Sequence, residues 1–407
     1  MTDLFWPGEG RAGALMTDGA LLTGMKSVEH AWLAALVEHH IAPAEAHTEI
    51  LGLLSETDLS TLADSAEAGG NPVIGLVQLL RERLGSESAR WVHRGLTSQD
   101  VLDTALMICL REVVDRLNEE LREQVVGLRR LIAQHRSTPM VGRTVTQHAV
   151  PITFGLKAAN WLTGLLDAAE ALAGVRSRLP VQLGGAAGTL AASTELARLR
   201  GLAEPAEVSW RLVESVASAL GLAPAAPWHT SRAVITAAGD ALVGCSDAYG
   251  RIAADVATLS RPEIAELAEG SGGSSSTMPQ KHNPVLSVLI RRSALTGPPL
   301  ASILHLAAAT SVDERPDGSW HAEWATLRDL ARRTVVAASQ ASELITGLRV
   351  YEDRMAANLA AAAGIEAEQQ AMARLVGGEP SENYLGATEL IIDRVLARAG
   401  QRFGAVR

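Results

Sequence analysis

An apolar seam over residues 104–136 constrains the fold of this chain more than any other feature. Leucine, valine and isoleucine recur there at steps of three and four residues, from Leu106 to Ile132. This spacing predicts a long packed helix, whose seam spans roughly 40 Å at ~1.5 Å per residue. A helix of that length needs long partners. Four further helices are predicted over 152–176, 231–270, 284–310 and 321–348.

The pattern predicts an all-α protein built on a bundle of long helices. We expect an N-terminal helical domain over 1–98, the central bundle over 99–348 and a small C-terminal helical domain over 349–407. Proline is expected to bend two helices, at Pro262 and at Gly297-Pro298-Pro299. Several of the helices are apolar on more than one face, so we expect the chain to form an oligomer.

Composition narrows the class of protein. The 407 residues are 47% hydrophobic and carry a net charge of -10, which favours a globular protein without a nucleic-acid partner. The longest uncharged stretch that could suggest a membrane span, 293–312, is broken by Gly297-Pro298-Pro299 and His305, so no membrane partner is expected. The start, "MTDLFWPGEGRAG", lacks the basic end and apolar run of a signal peptide, so a cytoplasmic location is predicted. Cys109 and Cys245 lie in apolar periodic stretches and are expected to be buried reduced thiols.

Three polar segments interrupt the helical pattern near the ends of long predicted helices. The first segment is "HRGLTSQDVLDT" (93–104), the second "GRTVTQHAVP" (142–151) and the third "GSGGSSSTMPQKHNP" (270–284). The first could cap a helix through Thr97 or Ser98, and the second could be a turn into a helix that begins near Pro151. Loops at the ends of a bundle are also where scaffolds usually carry function.

The third segment has a pattern that a flexible linker would not need. Asn283 is a good helix N-cap and Pro284 a good first helical residue, so the positive end of the following helix is expected to face the loop. Lys281 adds a full charge beside that helix end. The preceding glycines permit backbone angles that direct amides inward. We therefore interpret this segment as an anion-stabilising lid.

The three segments resemble the conserved regions of the fumarase/aspartase superfamily. "SSSTMPQKHNP" is similar to its signature GSSxMPxKxNP, with Ser274 where glycine usually stands, and "TSQD" and "GRT..Q" match its other two regions in order. Four softer motifs resemble the bacterial 3-carboxy-cis,cis-muconate cycloisomerase branch. They are "GNPVI" at Gly70, "PVQLGGAAGTL" at Pro180, "PWHTSR" at Pro227 and "VDERPDGSWHAEW" at Val312.

The resemblance implies a homotetramer with a twenty-helix core, active sites assembled from three subunits, and no metal or organic cofactor. By position, Ser275 matches the catalytic serine, with Ser276 as the alternative and Lys281 as its catalytic partner. A small polycarboxylate is the implied substrate. The residues implied to bind it are Thr97, Ser98, Gln99, Arg143, Thr144, Gln147, Met278 and Asn283, with His229 and Arg232 as further candidates. For Arg232 the alternative is a solvated residue at a helix start.

One departure from the superfamily bears on the reaction. Most members have histidine after "GRT", associated with protonation of the leaving group, whereas this chain has Val145. A carboxylate, with a reference pKa near ~4, leaves unprotonated at neutral pH and does not need an acid. This favours cycloisomerisation of 3-carboxy-cis,cis-muconate to 4-carboxymuconolactone, a step of the protocatechuate branch of the beta-ketoadipate pathway. In that reaction Ser275 is the acid/base and the intermediate is an aci-carboxylate.

Other roles stay open from the sequence alone. A C–N lyase of the same superfamily, such as an adenylosuccinate lyase-like enzyme, would use the same loop. A catalytically inactive structural paralogue is the alternative outside enzymes. His148, one helical turn past Val145 if the chain is helical there, or His93 could supply a proton donor that the second segment lacks.

Overall fold

The computed structural model describes residues 3–270, 273–274, 277–278 and 281–404. It confirms the all-α prediction, because helices dominate these ranges. The bounds of the N-terminal helices are α1 (Asp18–Glu38), α2 (Leu59–Gly69), α3 (Val73–Arg83) and α4 (Ser86–Trp91). The bounds of the helices that follow are α5 (Ser98–Gln134), α6 (Phe154–Arg176), α7 (Ala191–Leu199), α8 (Pro205–Leu220), α9 (Ala233–Leu259), α10 (Val285–Ala309), α11 (Gly318–Gly347), α12 (Glu352–Ala361), α13 (Ala367–Val376) and α14 (Thr388–Phe403).

All five long helices expected from the periodicity are present. Helices α5, α6, α9, α10 and α11 pack side by side as the central bundle. Their bounds agree with the predicted ranges to within about six residues, except that α9 ends at Leu259 rather than continuing to 270. Pro262 follows closely, and Ala265 takes a left-handed φ of 52°, so the chain turns away instead of bending within the helix.

The start of α10 also differs from the expectation. Pro284 is the N-cap and Val285 the first helical residue, one position later than predicted. Asn283 belongs instead to a short strand. Further along, α10 runs as one helix through Gly297-Pro298-Pro299. The domain boundaries stay a prediction.

Short antiparallel pairs connect the helices. The strands are β1 (Pro139–Thr144), β2 (Gln147–Thr153), β3 (Leu267–Ala268), β4 (Gly273–Ser274), β5 (His282–Asn283) and β6 (Arg349–Val350). They pair as β1–β2, β3–β6 and β4–β5. The expectation that the second polar segment turns into a helix is therefore wrong, since it forms the β1–β2 hairpin.

The turn of that hairpin explains why the sequence did not indicate it. Val145 and Thr146 have φ of 47° and 68°, the two positive values that a two-residue turn joining twisted strands requires. Asn-Gly or Asp-Gly is the usual signal for such a turn, and a β-branched pair is an unusual one. Outside these strands, Pro180 forms an isolated β-bridge with Ala223.

Helix α10 is apolar on opposite sides. Ile290 and Leu304 are fully buried in the bundle, whereas Val288, Leu295 and Leu306 are 56%, 74% and 63% exposed. This second apolar face is the feature from which the sequence predicted an oligomer.

The interior of the bundle accounts for both cysteines. Cys109 and Cys245 are free and buried, as predicted, and burial raises the pKa of each thiol to about 12. Among the described residues, no helix is long and apolar enough to cross a membrane.

Candidate active site

The polar segments lie at two opposite ends of the bundle. The first segment starts α5, and the second follows the end of that helix. Because α5 has 37 residues, the two are separated by about 55 Å. The third segment begins at the same end as the second, since Arg143 Nη2 lies 2.7 Å from Oε1 of Glu266, just before β3. A single chain therefore cannot bring the first segment to the other two.

The first segment is organised around Asp100, which is fully buried at the start of α5. Thr97 and Asp100 form a capping box, in which the Thr97 amide donates to Asp100 Oδ2 at 3.0 Å. The capping interpretation is thus confirmed. Asp100 accepts four further hydrogen bonds, from the amides of Gly184 (3.0 Å) and Gly185 (2.8 Å), from Gln182 Nε2 (3.3 Å) and from His229 Nε2 (2.8 Å).

A second buried carboxylate, Asp103, lies one turn further along α5. Arg232 donates to it through Nη1 at 2.7 Å and to Glu323 through Nη2 at 2.5 Å. The Arg232 side chain is 0% exposed, so the alternative of a solvated residue is wrong. Burial acts to lower the pKa of Arg232, but the charge of Asp103 and the hydrogen bonds to both carboxylates outweigh it and raise that pKa.

Three predicted substrate-binding residues are thus engaged inside the protein. Gln99 Nε2 donates to Asp103 at 3.1 Å and to the His229 carbonyl at 2.9 Å. His229 and Arg232 direct their donors at Asp100, Asp103 and Glu323 rather than outward as expected. Direct contact with a substrate would require breaking buried hydrogen bonds, which is costly. Their geometry supports a positioning role for the start of α5.

The four softer motifs converge on the same end of the bundle. "PVQLGG" and "PWHTSR" contribute donors to Asp100, while "GNPVI" accepts a hydrogen bond from His321 at the Gly70 carbonyl, 2.7 Å away. "VDERPDGSW" supplies Arg315, whose Nη1 donates to Thr97 Oγ1 at 2.7 Å. Motifs scattered over some 250 residues in sequence therefore build one structural unit.

Arg315 is a functional candidate that the sequence analysis missed. It is exposed and forms no ion pair with a carboxylate in the part of the chain that the structure describes. Its position beside Thr97 makes it a cation available to an anionic ligand. The signal in the sequence was that it is the single arginine of the "VDERPDGSWHAEW" motif.

The second segment presents its polar side chains on the β1–β2 hairpin. Thr144 and Gln147 are exposed next to the turn, and Val145 is 93% exposed at its tip. His148 lies opposite Arg143 across the ladder. It is not one helical turn from Val145, because the segment is a strand.

Arg143 itself is held by a buried partner. Its Nη1 and Nη2 donate to Glu266 at 3.0 and 2.7 Å, and Asn358 Nδ2 donates to the same carboxylate at 2.8 Å. Lys157 Nζ on α6 lies 3.9 Å from Asp255 Oδ2, and burial together with the charges of Arg251 and Arg143 lowers the pKa of its ammonium, against the opposing charge of Asp255. Sequence reasoning missed Lys157, since nothing local to it indicates that neighbourhood.

The third segment is bracketed by a short ladder. Gly273 pairs with Asn283 and Ser274 with His282. The predicted catalytic residues Ser275 and Ser276 lie outside the described residues. Met278 is 42% exposed, and its carbonyl accepts from the amide of Lys281 at 3.0 Å. The side chain of Lys281 is exposed, and Asn283 is half-buried.

The positive end of α10 is already occupied by a carboxylate. Glu269 is 6% exposed and accepts from the amides of Leu286 and Ser287 at 3.0 and 2.7 Å, and from the Ser287 hydroxyl at 2.6 Å. This differs from the expectation that the helix end serves a substrate anion. In the described part of the third segment, the charge that faces outward is that of Lys281.

Comparison with known proteins identifies the family. The profile of the family described as Lyase matches residues 54–296, and the chain belongs to this family, the fumarase/aspartase superfamily. It is 44% identical to the nitrosuccinate lyase of Streptomyces davaonensis over 81% of this chain and 73% of that protein. It is 38% identical to the 3-carboxy-cis,cis-muconate cycloisomerase of Bradyrhizobium diazoefficiens over 92% of this chain and 83% of that protein.

The fold has relatives among solved structures. The crystal structure of the 3-carboxy-cis,cis-muconate lactonizing enzyme from Pseudomonas putida matches with a TM-score of 0.84 at 30% identity and covers 97% of each chain. The resemblance inferred from the three polar segments is thereby confirmed.

Proposed function

We propose that this protein catalyses the cycloisomerisation of 3-carboxy-cis,cis-muconate to 4-carboxymuconolactone. The observation that carries the proposal is that the four motifs resembling the cycloisomerase branch meet at the start of α5. Val145, exposed at the tip of the hairpin that holds Arg143, is compatible with this reaction. A leaving group that is a strong base needs an acid there, whereas a carboxylate does not. Reaction in the lactone-opening direction expels a carboxylate.

The mechanism assigns two roles to the third segment. A carboxylate oxygen of the substrate adds to a double bond conjugated with a second carboxylate, so that a C–O bond forms and two negative charges collect on one group. Lys281 stabilises this aci-carboxylate. Ser275 then delivers a proton to the adjacent carbon, with Ser276 as the alternative. In reverse, the serine alkoxide removes that proton, and its positive surroundings stabilise the alkoxide.

We further propose that the active site is shared between chains of a homotetramer. The separation of about 55 Å along α5 requires at least two chains to meet if all three segments act on one substrate. Three chains are what the resemblance implies. The exposed apolar face of α10, which includes Leu295, supports burial of this helix against other copies. Thr97, Ser98 and Arg315 would come from one chain and Arg143, Thr144 and Gln147 from another, with Lys281, Met278 and Asn283 in the catalytic loop.

A second candidate is elimination of nitrite from nitrosuccinate. The 44% identity to a nitrosuccinate lyase favours it. Nitrite resembles a carboxylate in being a weak base, so Val145 suits this leaving group equally well. An amine leaving group, as in an adenylosuccinate lyase-like reaction, gains from an acid at that position and is less well supported.

Two parallel assays test the proposal. Loss of diene absorbance is measured with 3-carboxy-cis,cis-muconate and nitrite release with nitrosuccinate, with fumarate and adenylosuccinate as controls. We expect rapid loss of the diene. Nitrite release without loss of the diene would establish the second candidate instead. A correctly assembled protein that turns over none of these compounds would contradict both.

Substitution of the two serines tests the mechanism. Ser275→Ala is expected to lower turnover by ~10²- to 10⁴-fold, the usual worth of a positioned proton-transfer group. Ser276→Ala is expected to cost less, and Lys281→Met is expected to impair both binding and turnover. Circular dichroism and sedimentation control for fold and assembly. Near-wild-type turnover in Ser275→Ala would rule out this residue as the proton donor.

A further inference from the structure

Gly270, the first residue of the third polar segment, packs directly against the end of α11. A Cβ atom at Gly270 would lie 2.5 Å from the carbonyl oxygen of Gly347 and 3.0 Å from its Cα. Both partners are backbone atoms, which cannot rotate away as the tip of a flexible side chain can. Only glycine therefore fits at position 270 while the chain keeps this contact.

Gly270 and the residue before it are held from two further sides. Arg349 Nη2 donates to the Gly270 carbonyl at 3.2 Å, and Arg349 belongs to β6, which pairs with β3. The preceding residue, Glu269, accepts from the amides of Leu286 and Ser287 at the start of α10. These two neighbouring residues thus attach the start of the segment to β6, α10 and α11.

The end of the segment returns to the start of α10. Asn283 pairs with Gly273 in the β4–β5 ladder, and a Cβ atom at Gly273 would lie 2.2 Å from Cγ2 of Val285, the first residue of α10. Lys281 lies two residues before Asn283, and its side chain is exposed. The backbone next to Lys281 is therefore attached to the same helix start as Glu269.

We propose that Gly270 is a positioning residue for the reaction. Its close contact with Gly347 sets where the loop that carries Lys281 begins, and so where the Lys281 ammonium meets the substrate anion. A larger residue at position 270 would push the start of the loop away from α11, and displacement of a catalytic group by about 1 Å can cost about 10²-fold in rate.

The loss is expected to fall on turnover more than on binding. Lys281 stabilises charge that develops during the reaction, and such an interaction is lost mainly in the transition state when the group is displaced. The inference rests on the proposed function in assigning this role to Lys281.

Two alanine variants of the same contact test the proposal. Gly270→Ala is expected to lower kcat by about 10²-fold while KM changes by no more than about threefold. Gly347→Ala is the matched control, because a Cβ atom at Gly347 would lie 3.5 Å from Gly270 Cα, an ordinary van der Waals distance. We expect its kcat to be unchanged. Rates are measured with whichever substrate the diene and nitrite assays identify.

Tryptic cleavage after Lys281 reports on the loop without any reaction. We expect cleavage there to be at least about tenfold faster in Gly270→Ala than in wild type and unchanged in Gly347→Ala, with the free energy of unfolding in urea as the control for global stability. Arg349→Gln is a second variant, which removes the hydrogen bond to the Gly270 carbonyl from an exposed side chain and should leave the fold intact. It should lower kcat and speed cleavage in the same direction by a smaller factor.

The outcomes separate this proposal from the proposed function. If neither diene loss nor nitrite release is observed, the proposed function fails, and cleavage after Lys281 still tests the role of Gly270. Wild-type kcat in Gly270→Ala, or cleavage after Lys281 as slow as in wild type, would overturn the proposal. A lower free energy of unfolding with all tryptic sites cleaved faster alike would show a purely structural role and would overturn it too. If Gly270→Ala does not fold by circular dichroism, Arg349→Gln decides by the same two measurements.

Discussion

At the scale of single residues, burial distinguishes two arginines that look equivalent in the sequence. Arg232 and Arg315 both belong to motifs that resemble those of the cycloisomerase branch. Arg232 is fully enclosed between two carboxylates, whereas Arg315 is exposed and contacts Thr97. The first therefore contributes to stability and the second is available to a ligand.

Substitution of each arginine by methionine tests this division. Arg232→Met leaves Asp103 and Glu323 buried without their cation, so we expect the free energy of unfolding to fall by about 3–5 kcal/mol in urea denaturation. Arg315→Met should change it by no more than about 0.5 kcal/mol and instead raise KM. A stable Arg232→Met with a raised KM would reverse the assignment.

At the scale of elements, the helix starts that carry the polar segments are capped by carboxylates. Asp100 lies in the first turn of α5 and caps the start of that helix. Glu269 caps the start of α10, although it precedes Leu286 by 17 residues in sequence. Because Glu269 follows β3 directly, this cap connects β3 to the start of α10. It therefore positions both ends of the loop that carries Lys281.

Loss of the Glu269 cap should be measurable. In Glu269→Gln, one carboxylate oxygen becomes an NH2 group, which cannot accept a hydrogen bond from the backbone amides at this helix start. We therefore expect the free energy of unfolding to fall by about 1–3 kcal/mol. Glu263→Gln is the control, because Glu263 is exposed on the same connection. Equal stability of the two variants in urea denaturation would contradict the cap.

The start of a third helix, α2, predicts that the stability of the fold depends on pH. Hydrogen bonds from Arg83 and the Ser55 amide lower the pKa of Asp58 from 3.8 to about 2. Because the folded-state pKa is depressed, this carboxylate stabilises the fold above pH 3.8 and loses that contribution as the pH falls toward 2. Wild type should therefore be more stable than Asp58→Asn at pH 5, and the difference should be about half as large at pH 3. A difference that is the same at both pH values in denaturant titrations would contradict this.

At the scale of the whole molecule, the length of α5 decides how an active site can form. The first segment and the other two lie about 55 Å apart, and α10 exposes apolar side chains such as Val288 and Leu295. Association of several chains satisfies both features, because it covers the apolar face and brings opposite ends of different chains together.

Subunit mixing tests the shared site. Ser98→Asp places a carboxylate where a substrate carboxylate is expected, and Ser275→Ala removes the proposed proton donor, so each variant should be inactive alone. After subunit exchange, some sites should receive intact segments from different chains and regain activity. The double variant mixed with itself is the control. No recovery despite exchange confirmed by mass spectrometry would contradict a site shared in this way.

The sequence by itself determined the long helices, the buried thiols and the family. Those features depend on local periodicity, or on one contiguous motif such as 274–284. It could not determine that His229 and Arg232 turn inward, that Glu269 caps α10, or that Glu29 holds His93. Each of these depends on which donor meets which carboxylate after distant helices pack. The β1–β2 hairpin likewise depends on positive φ angles at Val145 and Thr146, which local propensity disfavours and only the tertiary structure imposes.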